Sequence, residues 1–304
     1  MTVLNKKVPS SDGKHILSGK VYLPDGEMKG YFHIVHGMTE HIARYYEFMR
    51  SMADSGYICF GYDNLGHGHT VNDDTELGFI AHKNGWKYLV EDVKVFSDAV
   101  IADYGDYPYY LMGHSMGSFI ARNAAAFCVN PQKLVVMGTG GPRAGSAFGV
   151  LLIKFAKLFK GEKHISPLIY KLTFGSYNKR FAEKDPNSWI TKDESIRKKY
   201  AADPLCNFKF TLSALEDLVK LNMRANSRDW FKTASGKMPI LLVSGGDDPV
   251  GNYSKGVKEV YNKLKKYGAN ADIKIYDNCR HEILNDDCAP QVISDIKHFI
   301  QDKK

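Results

Sequence analysis

Short apolar segments alternate with longer amphipathic segments along most of this chain. Over residues 85–103, Leu89, Val93, Phe96 and Val100 recur every three or four positions, which predicts a helix with one buried face. Similar patterns predict helices near residues 44–55, 117–128, 253–267 and 290–302. Seven apolar segments have the length of strands: residues 16–23, 30–35, 58–62, 109–112, 133–137, 240–243 and 273–276. This alternation is typical of an α/β fold with a mostly parallel central sheet and helices on both faces.

The alternation stops between residues 141 and 240, where helical patterns continue without a convincing strand. We therefore expect a core formed by residues 1–141 and 238–304, with residues 142–237 inserted as a helical cap. Within the cap, residues 148–160 are apolar on most sides, with three lysines spaced three apart. Such a helix packs inside the protein, lines an apolar pocket or touches lipid. We expect packing within the cap to be its main role.

Charge is unevenly distributed along the 304 residues. The formal net charge is +7, yet residues 142–228 hold 17 lysines and arginines against 8 acidic residues, so the rest of the chain is slightly acidic. The basic segment either makes transient contact with phosphate head groups at a membrane surface or is a solvated surface, and the sequence favours neither reading. No nucleic-acid-binding motif accompanies the charge, so we expect no nucleic acid partner.

The five cysteines form no Cys-x-x-Cys pair and do not lie at metal-ligand spacing with histidine. We expect free thiols, no metal and no cofactor. The first eleven residues hold no apolar run of the length that a signal peptide needs, and lysines interrupt the apolar stretches elsewhere. These features predict a cytoplasmic protein without a membrane span.

Ser115 lies in the pattern Gly113-His114-Ser115-Met116-Gly117, between a predicted strand and a predicted helix. Glycines on both sides permit a sharp, strained turn that exposes a serine hydroxyl at the carboxyl edge of a sheet. The helix that follows directs backbone N–H groups toward a developing oxyanion. The motif together with its strand-to-helix context predicts a nucleophilic serine.

A nucleophilic serine needs a histidine base and an acid that orients the histidine, in the chain order serine, acid, histidine. Asp247 and Asp248 directly follow the strand at residues 240–243, and both are candidates for the acid. We prefer Asp248, because Pro249 fixes the chain beyond it. His281 follows the strand at residues 273–276 in a loop, whereas His298 falls in the predicted last helix. The sequence therefore predicts a triad of Ser115, Asp248 and His281.

The loop after the strand at residues 30–35 is the expected source of a second oxyanion donor. The backbone N–H groups of Met38 and Met116 are the natural pair. His36, Glu40 and His41 in this loop also suggest a metal cluster, as does the segment at residues 63–69. We prefer loops held by internal hydrogen bonds, because metal ligands must aim at one point.

With these motifs in place, the chain resembles the monoacylglycerol lipase and lysophospholipase branch of the α/β-hydrolases, a group also labelled serine aminopeptidase S33. The resemblance implies hydrolysis of a carboxylic ester through an acyl-enzyme, on single-chain acyl lipids, with the cap forming the acyl tunnel. It also places the acid at Asp248. Asn64-Leu65 departs from the Arg-Gly common in the family, which leaves the substrate open. The motifs that carry the resemblance are residues 36–41, 43–45, 63, 66–68, 113–117, 200–205, 248–250 and 281–284.

Three other readings compete with a lipid-acting ester hydrolase. A general carboxylesterase for small or aryl esters would use the same triad. An aminopeptidase would need acidic cap residues to bind a free amine, and the basic surplus of the cap disfavours it. A catalytically inactive binding scaffold is disfavoured by the intact serine, aspartate and histidine.

Overall fold

A computed structural model describes residues 1–302 of the chain. The strands form one eight-stranded sheet in the order β1-β2-β4-β3-β5-β6-β7-β8, with the last six strands in this order running parallel. Only β1 and β2 run antiparallel to their neighbours. The strands are β1 (Thr2–Pro9), β2 (Ile16–Leu23), β3 (Gly30–Val35), β4 (Tyr57–Tyr62), β5 (Tyr109–His114), β6 (Lys133–Met137), β7 (Ile240–Gly245) and β8 (Ala271–Tyr276).

The strand prediction is confirmed for seven of the eight strands and missed β1. That strand lies at the edge of the sheet and pairs only with β2. Most of its side chains are exposed, so it lacks the apolar pattern of a buried strand. The central strands β3 to β7 are buried throughout, as parallel strands between two helical layers must be.

Helices cover both faces of the sheet, and the predicted fold class is confirmed. On one face, Phe48 and Met52 of the first helix and Ile296 of the last pack against the sheet. The second, third, eighth and ninth helices cover the other face. The helices are α1 (Tyr46–Ala53), α2 (Gly85–Tyr104), α3 (Met116–Phe127), α4 (Ser146–Lys160), α5 (Pro167–Phe174), α6 (Glu194–Ala202), α7 (Leu212–Ala225), α8 (Arg228–Ser235), α9 (Lys255–Lys266) and α10 (Ala289–Gln301).

Five helices, α4 to α8, lie between β6 and β7, where the sequence predicts an inserted cap. The division at residues 142–237 stays a prediction. The end of this segment packs on the core, since α8 contacts α3 and α9 and Trp230 is fully buried. Its indole N–H donates to the carbonyl of Arg122, and the Arg122 guanidinium lies 4.2 Å from the Trp230 ring centroid.

Helix α4 packs within the cap as expected, but through one face only. It contacts α7, where Lys157 forms an ion pair with Glu216, and Ile153 is the one residue of α4 that is buried. Phe148, Leu158 and Phe159 are 70%, 78% and 67% exposed. Helix α4 is apolar on most sides, but only one face of it packs against the protein. The apolar side chains on its other faces are therefore exposed.

The cysteine prediction is wrong for one pair. Cys279 and Cys288 form a disulfide, because the turn between β8 and α10 brings two positions nine residues apart together. Cys59, Cys128 and Cys206 are free. Within residues 1–302, no helix is both long and apolar enough to cross a bilayer. The compartment stays a prediction.

Candidate active site

Ser115 occupies the sharp turn between β5 and α3. Its backbone has a φ of 53° and a ψ of −120°, a strained conformation for a residue with a β-carbon. Both flanking glycines are sterically required. A Cβ at Gly113 would collide with the carbonyl of Gly117, and one at Gly117 with the carbonyl of Val35. The turn therefore holds the serine at the carboxyl edge of the sheet, as the motif predicts.

His281 and Asp248 meet beside this turn. Nδ1 of His281 lies 3.0 Å from Oδ2 of Asp248, and both side chains are buried. The contact has the length of an ion pair, although its angle falls short of a hydrogen bond. His281 and Ser115 line the same cavity.

The backbone after β7 distinguishes the two aspartates. Asp248 Oδ1 accepts a hydrogen bond of 2.8 Å from the N–H of Val250, which leaves Oδ2 directed at His281. Asp247 is only partly buried, whereas Asp248 is fully buried. The geometry favours Asp248 as the orienting acid.

Aromatic rings enclose His281. Its ring centroid lies 4.6 Å from that of His114 and 5.0 Å from that of Trp189. The His281 carbonyl lies 3.3 Å from Nε2 of His114, so the ring and backbone are held together. Trp189 lies in the segment between β6 and β7, and no sequence motif marks it.

Met38 and Met116 both line the cavity next to Ser115. Met116 is the first residue of α3, so its N–H lies among those that a helix start leaves without an intrahelical acceptor. In residues 1–302, neither of these two N–H groups donates to a protein acceptor. Two free donors beside the candidate nucleophile suit an oxyanion hole.

A buried network supports the loop that carries Met38. Oε1 of Glu40 accepts a 2.6 Å hydrogen bond from the Gly37 N–H and a 2.9 Å bond from the Tyr45 hydroxyl, and lies 3.2 Å from Nδ1 of His114. Oε2 accepts a 2.9 Å bond from Arg44. Sequence spacing suggested Glu40 only as a member of a metal cluster and indicated no partner for Arg44, because the partners of both residues are set by the tertiary fold.

Burial and charge act in opposite directions on the pKa values in this network. Burial by itself raises the pKa of Glu40, but the hydrogen bond with His114 and the charge of Arg44 outweigh it and hold this pKa well below its ordinary value. Burial lowers the pKa of His114, and the hydrogen bond with Glu40 reverses this and raises it. Glu40 is therefore ionised at neutral pH and available to anchor the loop.

The histidine-rich segments are held by hydrogen bonds. Nδ1 of His36 bonds to the Gly37 carbonyl, and Nε2 of His36 accepts from the Asn64 N–H at 2.9 Å. Asp63 accepts from the N–H groups of Ile42 and His69 at 2.8 Å each. Burial lowers the pKa of His36 to about 4, so this ring is neutral at pH 7. These contacts favour the structural reading of both segments.

One group among residues 1–302 has the spacing of metal ligands: His41, Asp203 and Cys206. Nε2 of His41 lies 2.8 Å from Oδ2 of Asp203, which is a hydrogen-bonded pair between the loop and the cap. Thr39 is tied to the cap in the same way, since the Tyr200 hydroxyl lies 2.9 Å from its Oγ1. These contacts position the residue-38 loop against the residue 200–205 segment.

The cavity at Ser115 has a volume of about 250 Å³ and extends into the cap. Its cap side is mainly apolar. The two acidic side chains in its lining are Glu40 and Glu282, and both are bound to Arg44. The apolar lining side chains include Phe119, Tyr170, Phe174, Leu218 and Val219.

The chain matches known proteins over nearly its full length. The family model described as serine aminopeptidase, S33, matches residues 26–288. The monoglyceride lipase of Mus musculus is 29% identical over 295 residues, which cover 96% of this chain and 87% of that protein. The monoacylglycerol lipase of Mycolicibacterium smegmatis is 24% identical over 92% of this chain and 91% of its own. A thermostable carboxyl esterase from Bacillus coagulans, solved with glycerol, is 30% identical with a TM-score of 0.92, covering 99% of this chain and 98% of that one.

Proposed function

Because the chain belongs to the serine aminopeptidase S33 family and is a serine ester hydrolase of the α/β-hydrolase superfamily, we propose that it cleaves single-chain acyl esters on Ser115. Monoacylglycerols and lysophospholipids are the substrate class we favour. One observation carries this proposal: Ser115 and His281, which pairs with Asp248, line a cavity whose cap side is mainly apolar. Relatives named monoglyceride lipase and carboxyl esterase support it.

The proposed reaction proceeds in two steps. Ser115 Oγ attacks the ester carbonyl while Nε2 of His281 takes its proton, and the same proton then passes to the leaving alcohol. Water then attacks the acyl-enzyme in the same way, with His281 as the base, and the fatty acid is released. Asp248 holds the His281 ring and stabilises its cationic form, and the N–H groups of Met38 and Met116 stabilise the oxyanion.

The cavity suits an acyl chain better than a peptide amine. Apolar side chains of α5 and α7 form much of its cap side and Phe119 of α3 lines its core side, and burying methylene groups there is favourable by about 0.8 kcal/mol each. An aminopeptidase needs a free carboxylate to bind the substrate's amine. In the described lining both carboxylates are already paired with Arg44, which disfavours that reading.

We also propose that the cap contacts membrane surfaces transiently. Helices α4 and α5 expose an apolar surface, which we call the apolar cap surface: Phe148, Leu151, Phe155, Leu158, Phe159, Leu168 and Leu172, each at least 63% exposed. Exposed lysines at residues 154, 160, 163 and 171 border it. Apolar side chains bordered by cations are typical of a surface that enters a lipid interface. Tyr170 of α5 also lines the cavity, so this surface adjoins the substrate site.

Hydrolysis of p-nitrophenyl esters from acetate to palmitate tests the substrate class, with Ser115→Ala as the matched control. We expect activity to peak at medium or long chains and to fall about 10⁴-fold or more in the variant. Activity confined to acetate would replace the lipid reading with a small-ester carboxylesterase.

Sedimentation with vesicles tests the membrane contact. Wild-type protein should bind vesicles containing anionic lipid, and Leu158→Ser/Phe159→Ser should bind markedly less while it keeps its turnover of soluble short-chain esters. Equal binding by both proteins would contradict the contact.

A further inference from the structure

A second cleft lies beside the active-site cavity, between the cap and the loop after β7. It has a volume of about 560 Å³. Residues that follow β6, β7 and α5 line it, as does the start of α9. Four of the lining side chains are cationic, and we call this site the basic cleft: Arg143, Lys179, Arg180 and Lys255.

The positive charge of the basic cleft is not neutralised by the protein. Across residues 1–302, none of its four cations forms an ion pair with a carboxylate. Glu259 is the single acidic residue in the lining, and its carboxylate lies 2.9 Å from Lys263, which is outside the cleft. A concave site with unpaired cations concentrates anions from solution.

Two of the four cations are held in position. A guanidinium nitrogen of Arg143 donates a 3.0 Å hydrogen bond to the Tyr177 hydroxyl. The Arg180 guanidinium lies 3.6 Å from the ring centroid of Tyr253. The backbone of Tyr253 is left-handed, with a φ of 53°, and a hydrogen bond from its N–H to the carbonyl of Asp248 holds it in place. Arginines held in this way lose little freedom when they bind an anion.

The basic cleft adjoins the active-site cavity, because Arg143, Tyr177 and Val250 line both. Val250 follows the proposed triad acid by two positions, and its N–H binds that carboxylate. An ester whose acyl chain fills the apolar cavity and whose carbonyl lies at Ser115 can therefore extend its alcohol portion into the basic cleft.

We propose that the basic cleft binds the phosphate of a phosphate-bearing leaving alcohol, so that monoacyl glycerophosphates are preferred over neutral monoacylglycerols. This inference rests on the proposed function, and it narrows the substrate class of the same site. The oxygens of a phosphate suit the forked donors of the two arginines, and the four unpaired cations supply enough positive charge to bind a dianionic phosphate monoester. Hydrolysis then releases the fatty acid and the glycerol phosphate.

Equilibrium binding tests the cleft without any turnover. Calorimetry of Ser115→Ala protein with glycerol 3-phosphate at low ionic strength should show saturable binding that weakens at least tenfold when Lys179→Gln/Lys255→Gln is added. The matched control, Lys265→Gln/Lys266→Gln, removes the same charge from exposed positions of α9 outside the cleft and should bind as tightly as the parent. No binding, or equal weakening in both double variants, would overturn the proposal.

Steady-state kinetics then test whether the bound phosphate belongs to the substrate's leaving alcohol or is free phosphate. We expect kcat/KM for 1-hexanoylglycerol 3-phosphate to exceed that for 1-hexanoylglycerol about tenfold, mainly through a lower KM, with the ratio falling in Lys179→Gln/Lys255→Gln alone. Salt should reduce the ratio. A ratio near one, or inorganic phosphate binding as tightly as glycerol 3-phosphate, would overturn the headgroup assignment. Loss of hydrolysis of both esters would instead refute the proposed function, while the calorimetry still decides on the cleft.

Discussion

Arg44 and Glu282, 238 positions apart in the chain, are joined by two parallel hydrogen bonds, one of them 2.7 Å between a guanidinium nitrogen and Oε2. Arg44 also binds Glu40, the residue that fixes the loop bearing Met38. Glu282 directly follows His281. The guanidinium therefore couples the loop that carries the proposed oxyanion donor to the loop that carries the proposed base, and this pair positions two parts of one site.

Replacing Arg44 with methionine should destabilise the protein strongly. Glu40 and Glu282 are buried. The change leaves Glu282 without its cationic partner, and His114 is then the one cationic partner that Glu40 keeps. Breaking one partner out of a buried pair costs about 3–5 kcal/mol, so we expect the free energy of unfolding in urea to fall by about that amount. Arg50→Met, at a position whose side chain is 56% exposed, is the matched control and should cost under about 1 kcal/mol. Equal losses in the two variants would contradict the role of Arg44.

Substitution of the two neighbouring aspartates should separate their roles. Asp248→Asn removes the charge next to His281 Nδ1, and we expect kcat to fall by about 10³–10⁴-fold, because the ring loses the partner that sets its tautomer. Asp247→Asn should stay within about threefold of wild type. Steady-state kinetics on one soluble ester measure both. The reverse order of losses would assign the acid to Asp247.

Replacing either of two glycines with alanine should change the stability of the protein, in opposite directions at the two positions. At Gly117 a Cβ would collide with backbone oxygens of Val35 and His36, which cannot move without shifting β3, so Gly117→Ala should cost about 3 kcal/mol or yield insoluble protein. At Gly149, inside α4, a Cβ meets open space. Gly149→Ala should stabilise by about 0.5–1 kcal/mol through helix propensity. Thermal and urea unfolding measure both, and similar effects at the two positions would count against the packed turn.

Asp217 should make the stability of the protein depend on pH. Its Oδ2 is buried without a hydrogen-bond partner among residues 1–302, and burial raises the pKa of its carboxyl from 3.8 to about 6. The folded state thus holds a proton that the unfolded state has already released, and stability falls as the pH rises from about 4 to 6.

Asp217→Asn removes this dependence, since asparagine does not ionise. Relative to wild type, the variant should gain on the order of 2 kcal/mol of unfolding free energy between pH 4 and pH 7. Urea unfolding at several pH values measures the difference. A difference that does not change with pH would show that Asp217 is not the titrating group.

Sequence patterns predicted the parts of the fold that follow from local burial. The central strands are buried on both sides and read as apolar runs, whereas β1 is exposed at the sheet edge and left no such signal. The strand-to-helix turn at Ser115 was predictable because its glycines leave a local signature. Residues from three separate loops were assigned together because the carboxyl ends of parallel strands share one edge.

Contacts between distant segments were not predictable from spacing. Arg44 and Glu282 carry no mark of their pairing, and neither do Trp189 and His281. The exposure of α4 depends on which neighbours the cap supplies, and an apolar pattern alone does not show that. The basic surplus in residues 142–228 was visible, but only the fold gathers part of it into a cleft.

The central claim is that Ser115 is the nucleophile that forms the acyl-enzyme, and covalent labelling tests it most directly. A fluorophosphonate incubated with wild-type protein, followed by intact mass and peptide mapping, should add one phosphonyl group, located on the peptide that contains Ser115. Ser115→Ala should gain no mass under the same conditions. A label on another residue, or equal labelling of the variant, would contradict the account.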